Sequence, residues 1–190
     1  MLRLTGISEP KGLVFDEIYY PTDAWDMLQR GIEWDQERGV PAYVVHPPLG
    51  KWLIALGEAV FGNNELGWRF SAAIAGTLMV AILIRVALRM FRSVVLAGAA
   101  GLLLTLDGFH LVLSRISLLD IFLGLFVLAA FAAMVLDRDH YRSGLLHHAP
   151  APPWWLLGAG VLFGLATGVK WSALFFLPFF AAMVLTWRVQ

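Results

Sequence analysis

The sequence predicts an all-α membrane protein: a polytopic bundle of transmembrane helices preceded by a loop of short interfacial helices. Of its 190 residues, 59% are hydrophobic and only 15% are charged. That is more apolar material than a soluble domain of this length buries. In addition, the last two thirds of the chain consist of successive apolar stretches. These are long or nearly long enough to cross a hydrocarbon core of about 30 Å.

Five such spans are predicted, near residues 70–90, 94–113, 118–136, 154–169 and 171–187. The fourth span is short, since about 16 residues reach only about 24 Å as a helix. We therefore expect its flanking Trp and Lys residues, or local thinning of the bilayer, to make up the difference. The chain thus divides into a first loop, residues 1–68, and a five-helix transmembrane bundle, residues 69–190.

Arginines in the short loops predict the orientation of the spans, because Lys and Arg mark the cytoplasmic side. They follow the first, third and fifth spans, at Arg85, Arg89, Arg92, Arg138, Arg142 and Arg188. All of these positions fall on one side of the membrane under the five-span topology. The pattern predicts a multi-pass protein of the plasma membrane whose first loop, and the turns at Arg115 and Lys170, are extracytoplasmic.

Charge and cysteine content exclude several classes of function. The formal net charge is zero, yet 10 of the 14 acidic residues precede Trp68. No basic stripe with interleaved aromatic residues is present, so a nucleic-acid partner is not expected. The chain has no cysteine, which excludes disulfides and a thiol nucleophile.

The first loop has the pattern of short amphipathic helices lying on the membrane. Thr22 is a candidate N-cap for the first of them, which Gly39 and Pro41 would end. A second helix is expected from Pro48 to Phe61, because the two prolines hold its entry extended and apolar residues then recur at helical spacing. It is too short to span the bilayer and suits the interface.

Ionisable residues in or beside the spans carry the most functional information. Under the predicted topology they gather near the outer face, together with the adjacent acids Asp16 and Glu17; they are Arg69, Asp107, Arg115, Asp120 and Lys170. Such groups are costly in a bilayer and usually face a partner or a water-filled cavity, so we expect one shared polar site. Any single one could instead be an anchor or a structural ion pair, such as Arg115 with Asp120. Asp107 could also pair with His110 on one helical face.

Five ordered motifs resemble a known family. They are Phe15-Asp16-Glu17, His46-Pro-Pro-Leu-Gly-Lys51, Arg69-Phe-Ser-Ala-Ala73, Ser114-Arg115-Ile-Ser-Leu-Leu-Asp120 and Gly168-Val-Lys170-Trp171. In order and spacing they resemble the bacterial protein O-mannosyltransferases, glycosyltransferase family 39 of the GT-C superfamily, over nearly the whole chain. Members of that family usually begin with a span ending just before the Asp-Glu pair and continue with about as many spans again. The resemblance therefore implies an N-terminal half, with little activity of its own.

The resemblance implies a reaction and a set of roles. Mannose would arrive on a polyprenyl phosphate and pass with inversion to Ser or Thr hydroxyls of a secreted acceptor protein emerging from translocation. A phosphate leaving group needs cations rather than a proton, so one carboxylate base is enough. Asp16 would be that base and Glu17 would orient the acceptor or the base, while Arg69, Arg115 and Lys170 would hold the phosphate.

Supporting roles are expected for His46, Lys51, Asp107 and Asp120, the two aspartates by orienting the cations. No cofactor is required. A divalent cation could bridge acid and phosphate, with Asp16 and Glu17 helping to ligate it.

Other functions stay open at the level of sequence. A related enzyme of the same architecture could move aminoarabinose onto lipid A, although the run from His46 to Lys51 favours protein mannosylation. A proton-coupled transporter would also gather acids and arginines at a membrane face, but inverted repeats and mid-bilayer charges would then be expected. A non-catalytic subunit or fragment is the third alternative.

Overall fold

The computed structural model describes residues 2–146 and 152–189, and these residues form a bundle of helices with one very short hairpin. In chain order the helices are α1 (Tyr20–Arg30), α2 (Leu49–Phe61), α3 (Glu65–Phe91), α4 (Val94–Leu106), α5 (Gly108–Leu113), α6 (Leu119–Leu146), α7 (Trp154–Val169) and α8 (Leu177–Val189). Two 3-10 helices, Phe15–Ile18 and Trp171–Phe176, precede α1 and α8, and the hairpin pairs β1 (Trp34–Asp35) with β2 (Val40–Pro41). The predicted all-α membrane class is confirmed.

Within the described parts of the chain, three helical segments are long and apolar enough to cross a membrane: Glu65–Phe91, Leu119–Gly144 and Trp171–Val189. They correspond to the first, third and fifth predicted spans. The helices at the second and fourth predicted spans, Val94–Leu106 and Trp154–Val169, are apolar but shorter.

The predicted second span is not one continuous helix. It breaks at Asp107, whose carboxylate accepts the backbone N–H of His110 at 2.7 Å and so caps α5. A short acidic side chain competes in this way for backbone donors and favours a helix start over a helix interior. The expectation of an aspartate inside a membrane helix that orients cations is therefore corrected: Asp107 is an exposed N-cap.

Helices α3 and α6 run parallel, and two carboxylates mark their ends. Glu17 accepts hydrogen bonds from Arg69 near the start of α3 and from the backbone of Ser117 just before α6. Asp139 in α6 pairs with Arg89 in the last turn of α3 at 3.1 Å. Because about 20 residues separate the two ends along each helix, they lie about 30 Å apart, the thickness of a hydrocarbon core. The two polar ends of the bundle thus match opposite membrane faces.

Helices α2 and α3 approach each other through glycines. A Cβ added at Gly57 would meet the carbonyl oxygen of Gly67, and one added at Gly67 would meet that of Gly62. Small residues let helix backbones come this close. The core formed there by α2, α3 and α6 includes Ile54, Ala72, Leu119 and Phe122.

The first loop differs from its prediction in one helix and agrees in the other. Helix α1 starts after Tyr19 rather than at Thr22, and it ends at Gly31, which has the left-handed φ of 78°. Gly39 and Pro41 belong instead to the hairpin, which the helical reading of this segment missed.

Helix α2 occupies the predicted range, with Pro48 as its N-cap. Its outward side chains Trp52, Leu56 and Val60 are 52%, 62% and 73% exposed and recur at every fourth position. They form one apolar stripe, as expected for a helix at the membrane interface.

Candidate active site

Arg69 ties the N-terminal segment to the bundle. Its side chain is fully buried, and all five of its N–H groups donate. Two of them go to the two carboxylate oxygens of Glu17, at 2.8 and 2.7 Å. The other three go to the carbonyl oxygens of Ile7, Pro10 and Gly12. The expectation that Arg69 holds a donor phosphate is corrected, because no donor is left for one.

Glu17 is equally occupied. Each of its carboxylate oxygens accepts two hydrogen bonds: Oε1 from Arg69 and the backbone N–H of Ser117, Oε2 from Arg69 and the backbone N–H of Val14. Its side chain has no exposed surface. The expectation of a catalytic Glu17 that orients the acceptor is therefore corrected, because the residue reaches no open surface. What it fixes is the 3-10 turn that also carries Asp16.

Arg115 holds the same segment from the other side. Its Nη1 donates to the carbonyl oxygens of Leu2 and Thr5 at 2.7 Å each, and its Nη2 donates to that of Gly6 at 2.8 Å. Together Arg69 and Arg115 bind six carbonyl oxygens between residues 2 and 12. The alternative pairing of Arg115 with Asp120 does not form.

A third arginine in this region was missed by the sequence analysis. Arg3 and His110 are each 6% exposed, and Arg3 Nη2 lies 2.9 Å from His110 Nδ1. His110 therefore turns its ring toward the N-terminal segment, while only its backbone N–H meets Asp107. A basic residue within the apolar run from Leu2 to Ile7 was the available signal.

Lys51 is also internal. Its Nζ lies 2.9 Å from Asp23 and 2.7 Å from Glu33, and its side chain is 2% exposed. The ammonium thus joins α2 to α1 and to the approach to the hairpin. Lys51 supports the shape of the first loop and does not line an open site.

Lys170 and Asp120 remain partly exposed and pair with each other. Lys170, between α7 and the following 3-10 helix, donates from Nζ to Asp120 Oδ1 at 2.9 Å. Their side chains are 26% and 43% exposed. An ammonium with two further N–H donors can bind an additional anion.

Tyr20 and His46 lie beside these charges, with ring centroids 6.0 Å apart. Burial first, and then the charges of Asp16 and Asp120, raise the pKa of Tyr20 to about 12. Burial, followed by Lys170 and Lys51, lowers the pKa of His46 below its usual value. The charges of Asp16 and Asp120 act on both rings, and that of Lys170 acts on His46, so the region around Tyr20 and His46 is under the electrostatic influence of all three residues.

Asp16 is the carboxylate left free in this region. Its side chain is half-buried and makes no hydrogen bond or ion pair with another residue of the described ranges. A carboxylate in that state can accept a proton from a hydroxyl group.

A metal site built from the adjacent acids does not fit these residues. Within residues 2–146 and 152–189, no three His, Cys, Asp or Glu side chains come together as ligands. Both oxygens of Glu17 are already saturated by N–H donors, so Asp16 and Glu17 do not share a cation in this arrangement.

The family model described as dolichyl-phosphate-mannose-protein mannosyltransferase matches residues 1–189. The chain belongs to this family.

Relatives within the family come from bacteria and animals. A polyprenol-phosphate-mannose–protein mannosyltransferase of Mycobacterium tuberculosis is 43% identical over 202 residues, which cover 99% of the chain and 38% of that protein. The Corynebacterium glutamicum protein of the same name is 40% identical over 94% of the chain and 38% of its own length. Protein O-mannosyl-transferase 1 of Rattus norvegicus is 28% identical over 92% of the chain and 24% of its length. The chain thus spans less than two fifths of these relatives.

Proposed function

We propose that this chain serves the transfer of mannose from a polyprenyl phosphate carrier to Ser or Thr hydroxyls of an acceptor protein. The family and the names of its relatives support this reaction. They do not favour the two other activities, aminoarabinose transfer to lipid A and proton-coupled transport. We further propose that the site lies on the extracytoplasmic face of the plasma membrane, as the loop arginines predict.

The free carboxylate of Asp16 is the observation on which the proposal rests. In the proposed step Asp16 takes the proton of the acceptor hydroxyl while the hydroxyl oxygen bonds to C1 of mannose. The bond from C1 to the phosphate oxygen breaks on the opposite face, so the configuration inverts. Its electron pair leaves with the polyprenyl phosphate, which needs no proton, and a second carboxylic acid is not required.

Lys170 is the proposed cation for the departing phosphate. Its pairing with Asp120 holds the ammonium in place but uses one of its three N–H donors. His46, whose pKa is lowered, would stay neutral at pH 7 and offer one ring N–H and one acceptor. Arg69 and Glu17 act as positioning residues, because they fix the turn that presents Asp16.

The apolar stripe of α2 is the proposed side of approach for the lipid carrier. Next to it, a cavity of about 340 Å³ opens between α1 and α2, lined by Met27, Leu28, Gly31, Trp52, Ala55 and Leu56. An interfacial helix with an apolar outer face would lie level with a phosphate held at the membrane surface.

A chimera provides the test, because it supplies the remainder of a relative. Residues 1–189 would replace the matching segment of the Mycobacterium tuberculosis protein, and transfer of labelled mannose from polyprenyl phosphate mannose to a Thr-containing peptide would be measured. We expect Asp16→Asn to reduce turnover by about 100-fold or more. Glu37→Gln, which neutralises an exposed acid of the hairpin, should leave turnover unchanged. Asp16→Asn turnover within threefold of the unmodified chimera would refute the base assignment.

A further inference from the structure

The end of the bundle far from Asp16 contains a cavity of about 920 Å³ between α3 and α6. Its lining includes five arginines: Arg85, Arg89, Arg92, Arg138 and Arg142. Asp139 is the one carboxylate that lines it. Arginines of the short loops are expected on this side of the membrane in any case, but that rule requires only their presence in loops. Here they converge from two packed helices on one cavity.

The positive charge in this cavity exceeds what the described residues neutralise. Arg89 and Arg138 share Asp139, at 3.1 and 2.7 Å. Arg85, Arg92 and Arg142 are exposed and form no ion pair with a described residue. The lining therefore carries four more positive than negative charges. Like charges one helical turn apart, as at Arg85 and Arg89, repel each other unless an anion lies between them.

The position of the cavity in the bundle indicates the source of that anion. It lies about 30 Å along α3 from the Arg69–Glu17 pair, which is the level of the opposite membrane interface. On α6, the apolar residues Ala132, Val135 and Leu136 precede Arg138 and continue the lining from the arginines toward the hydrocarbon core. An amphiphile with an anionic head and apolar chains matches both parts of this surface.

We propose that the cavity binds the phosphate of an anionic phospholipid headgroup, with the acyl chains lying along α3 and α6. Guanidinium groups bind phosphate oxygens through paired hydrogen bonds. Basic pockets between transmembrane helices on the cytoplasmic side are suited to such headgroups. This assignment is independent of the reaction proposed for Asp16, since it concerns the other membrane face.

Native mass spectrometry of the delipidated chain, titrated with phosphatidylglycerol or with phosphatidylcholine of the same acyl chains, tests the proposal. We expect phosphatidylglycerol to bind at least tenfold more tightly. The triple variant Arg85→Gln/Arg92→Gln/Arg142→Gln should lose at least tenfold of that affinity, since each juxtamembrane cation contributes roughly fivefold. The matched control Lys11→Gln/Arg30→Gln/Arg38→Gln removes the same charge from the first loop and should keep the preference.

Three results would overturn the proposal. The first is equal phosphatidylglycerol affinity in the glutamine variant and the unmodified chain. The second is full displacement of the lipid by inorganic phosphate at equal concentration, which would make this a site for free phosphate. The third is loss of binding in the chimera with the relative's remaining segment, which would make the cavity a contact surface for protein. If the triple variant does not insert, Arg142→Gln alone should weaken binding about fivefold while Arg142→Lys retains most of it, and equal affinities of the two would also refute the proposal.

Discussion

The carboxylate of Glu17 receives the guanidinium of Arg69 through two hydrogen bonds, at 2.8 and 2.7 Å, and neither side chain is exposed. Burying two charges is expensive unless their remaining donors and acceptors are satisfied. Here every N–H of the arginine and every lone pair of the carboxylate has a partner. The pair therefore fixes the N-terminal segment on the bundle and determines which of the two adjacent acids is available for chemistry.

Removing Arg69 should release the N-terminal segment. Arg69→Ala leaves Glu17 as a buried, unpaired charge and three carbonyl oxygens without donors, so we expect a loss of about 3–5 kcal/mol in stability. Tryptic cleavage at Lys11 in proteoliposomes should become at least tenfold faster. Arg38→Ala, which alters an 82% exposed side chain, is the control and should not change the rate. An unchanged cleavage rate in the Arg69→Ala protein would contradict the view that Arg69 fixes the N-terminal segment on the bundle.

The glycine contact between α2 and α3 should not tolerate a methyl group. Gly57→Ala places its Cβ against the carbonyl oxygen of Gly67, so the helices must separate, and we expect a cost of about 1–3 kcal/mol. Gly164→Ala in α7 meets no atom and should be neutral or stabilising by up to about 1 kcal/mol. Thermal unfolding of the two variants in the same detergent compares them directly. Equal melting temperatures would show that α2 can shift without loss.

Glu58 predicts a pH dependence of stability. It is 1% exposed, and neither carboxylate oxygen has a hydrogen-bond partner among the described residues. Burial raises its pKa from 4.5 to about 8, so the folded chain binds this proton more tightly than the unfolded chain does. The contribution of this protonation to the free energy of unfolding is complete below pH 4.5 and is lost as pH rises to about 8.

Glu58→Gln should remove that slope. Relative to the unmodified chain, we expect the variant to gain on the order of 2–4 kcal/mol between pH 5 and pH 9, measured by denaturant unfolding in micelles. Glu37→Gln controls for loss of an exposed acid and should follow the unmodified chain at both values. A Glu58→Gln protein with the same pH slope as the unmodified chain would mean that this carboxylate is already ionised when folded.

Steady-state kinetics can distinguish the role proposed for Lys170, phosphate binding, from the role proposed for Asp16, proton removal. In the chimera, Lys170→Ala should raise the KM for polyprenyl phosphate mannose and lower kcat, because it removes a cation from both the bound and the departing phosphate. We expect kcat/KM to fall by about 100-fold, and Lys170→Arg to recover part of it. A variant whose KM for the acceptor peptide alone rises would place Lys170 on the other substrate.

Hydropathy was sufficient to predict the helical class and the approximate spans, since apolar length is a local property of the chain. The break at Asp107 was not predicted, because one carboxylate that caps a new helix hardly changes the mean hydropathy of a span. The prediction for the first loop failed at Gly31, where a left-handed backbone conformation ends α1 and allows the hairpin to follow.

The ion-pair partners of the buried charges were harder to predict than the helices. Arg69 was expected in the functional region but as a ligand of the donor phosphate, because its actual partner, Glu17, lies 52 positions away in the sequence. Lys51 was expected in a supporting role, and its partners Asp23 and Glu33 were likewise not foreseen. Asp16, Asp120 and Lys170 were all expected at one membrane face. Lys170 pairs with Asp120, and the charges of Asp16 and Asp120 both act on His46. A site shared by the three stays a prediction.

Asp16 and Glu17 carry the same charge and differ by a single methylene, and this difference in length gives them different environments. The longer Glu17 reaches the guanidinium of Arg69, and the shorter Asp16 stays partly exposed. Exchanging the order of these two letters would leave composition, charge and hydropathy untouched. It would nevertheless set a carboxylate too short to meet both arginine nitrogens inside the protein, and a longer, looser one at the position proposed for the base.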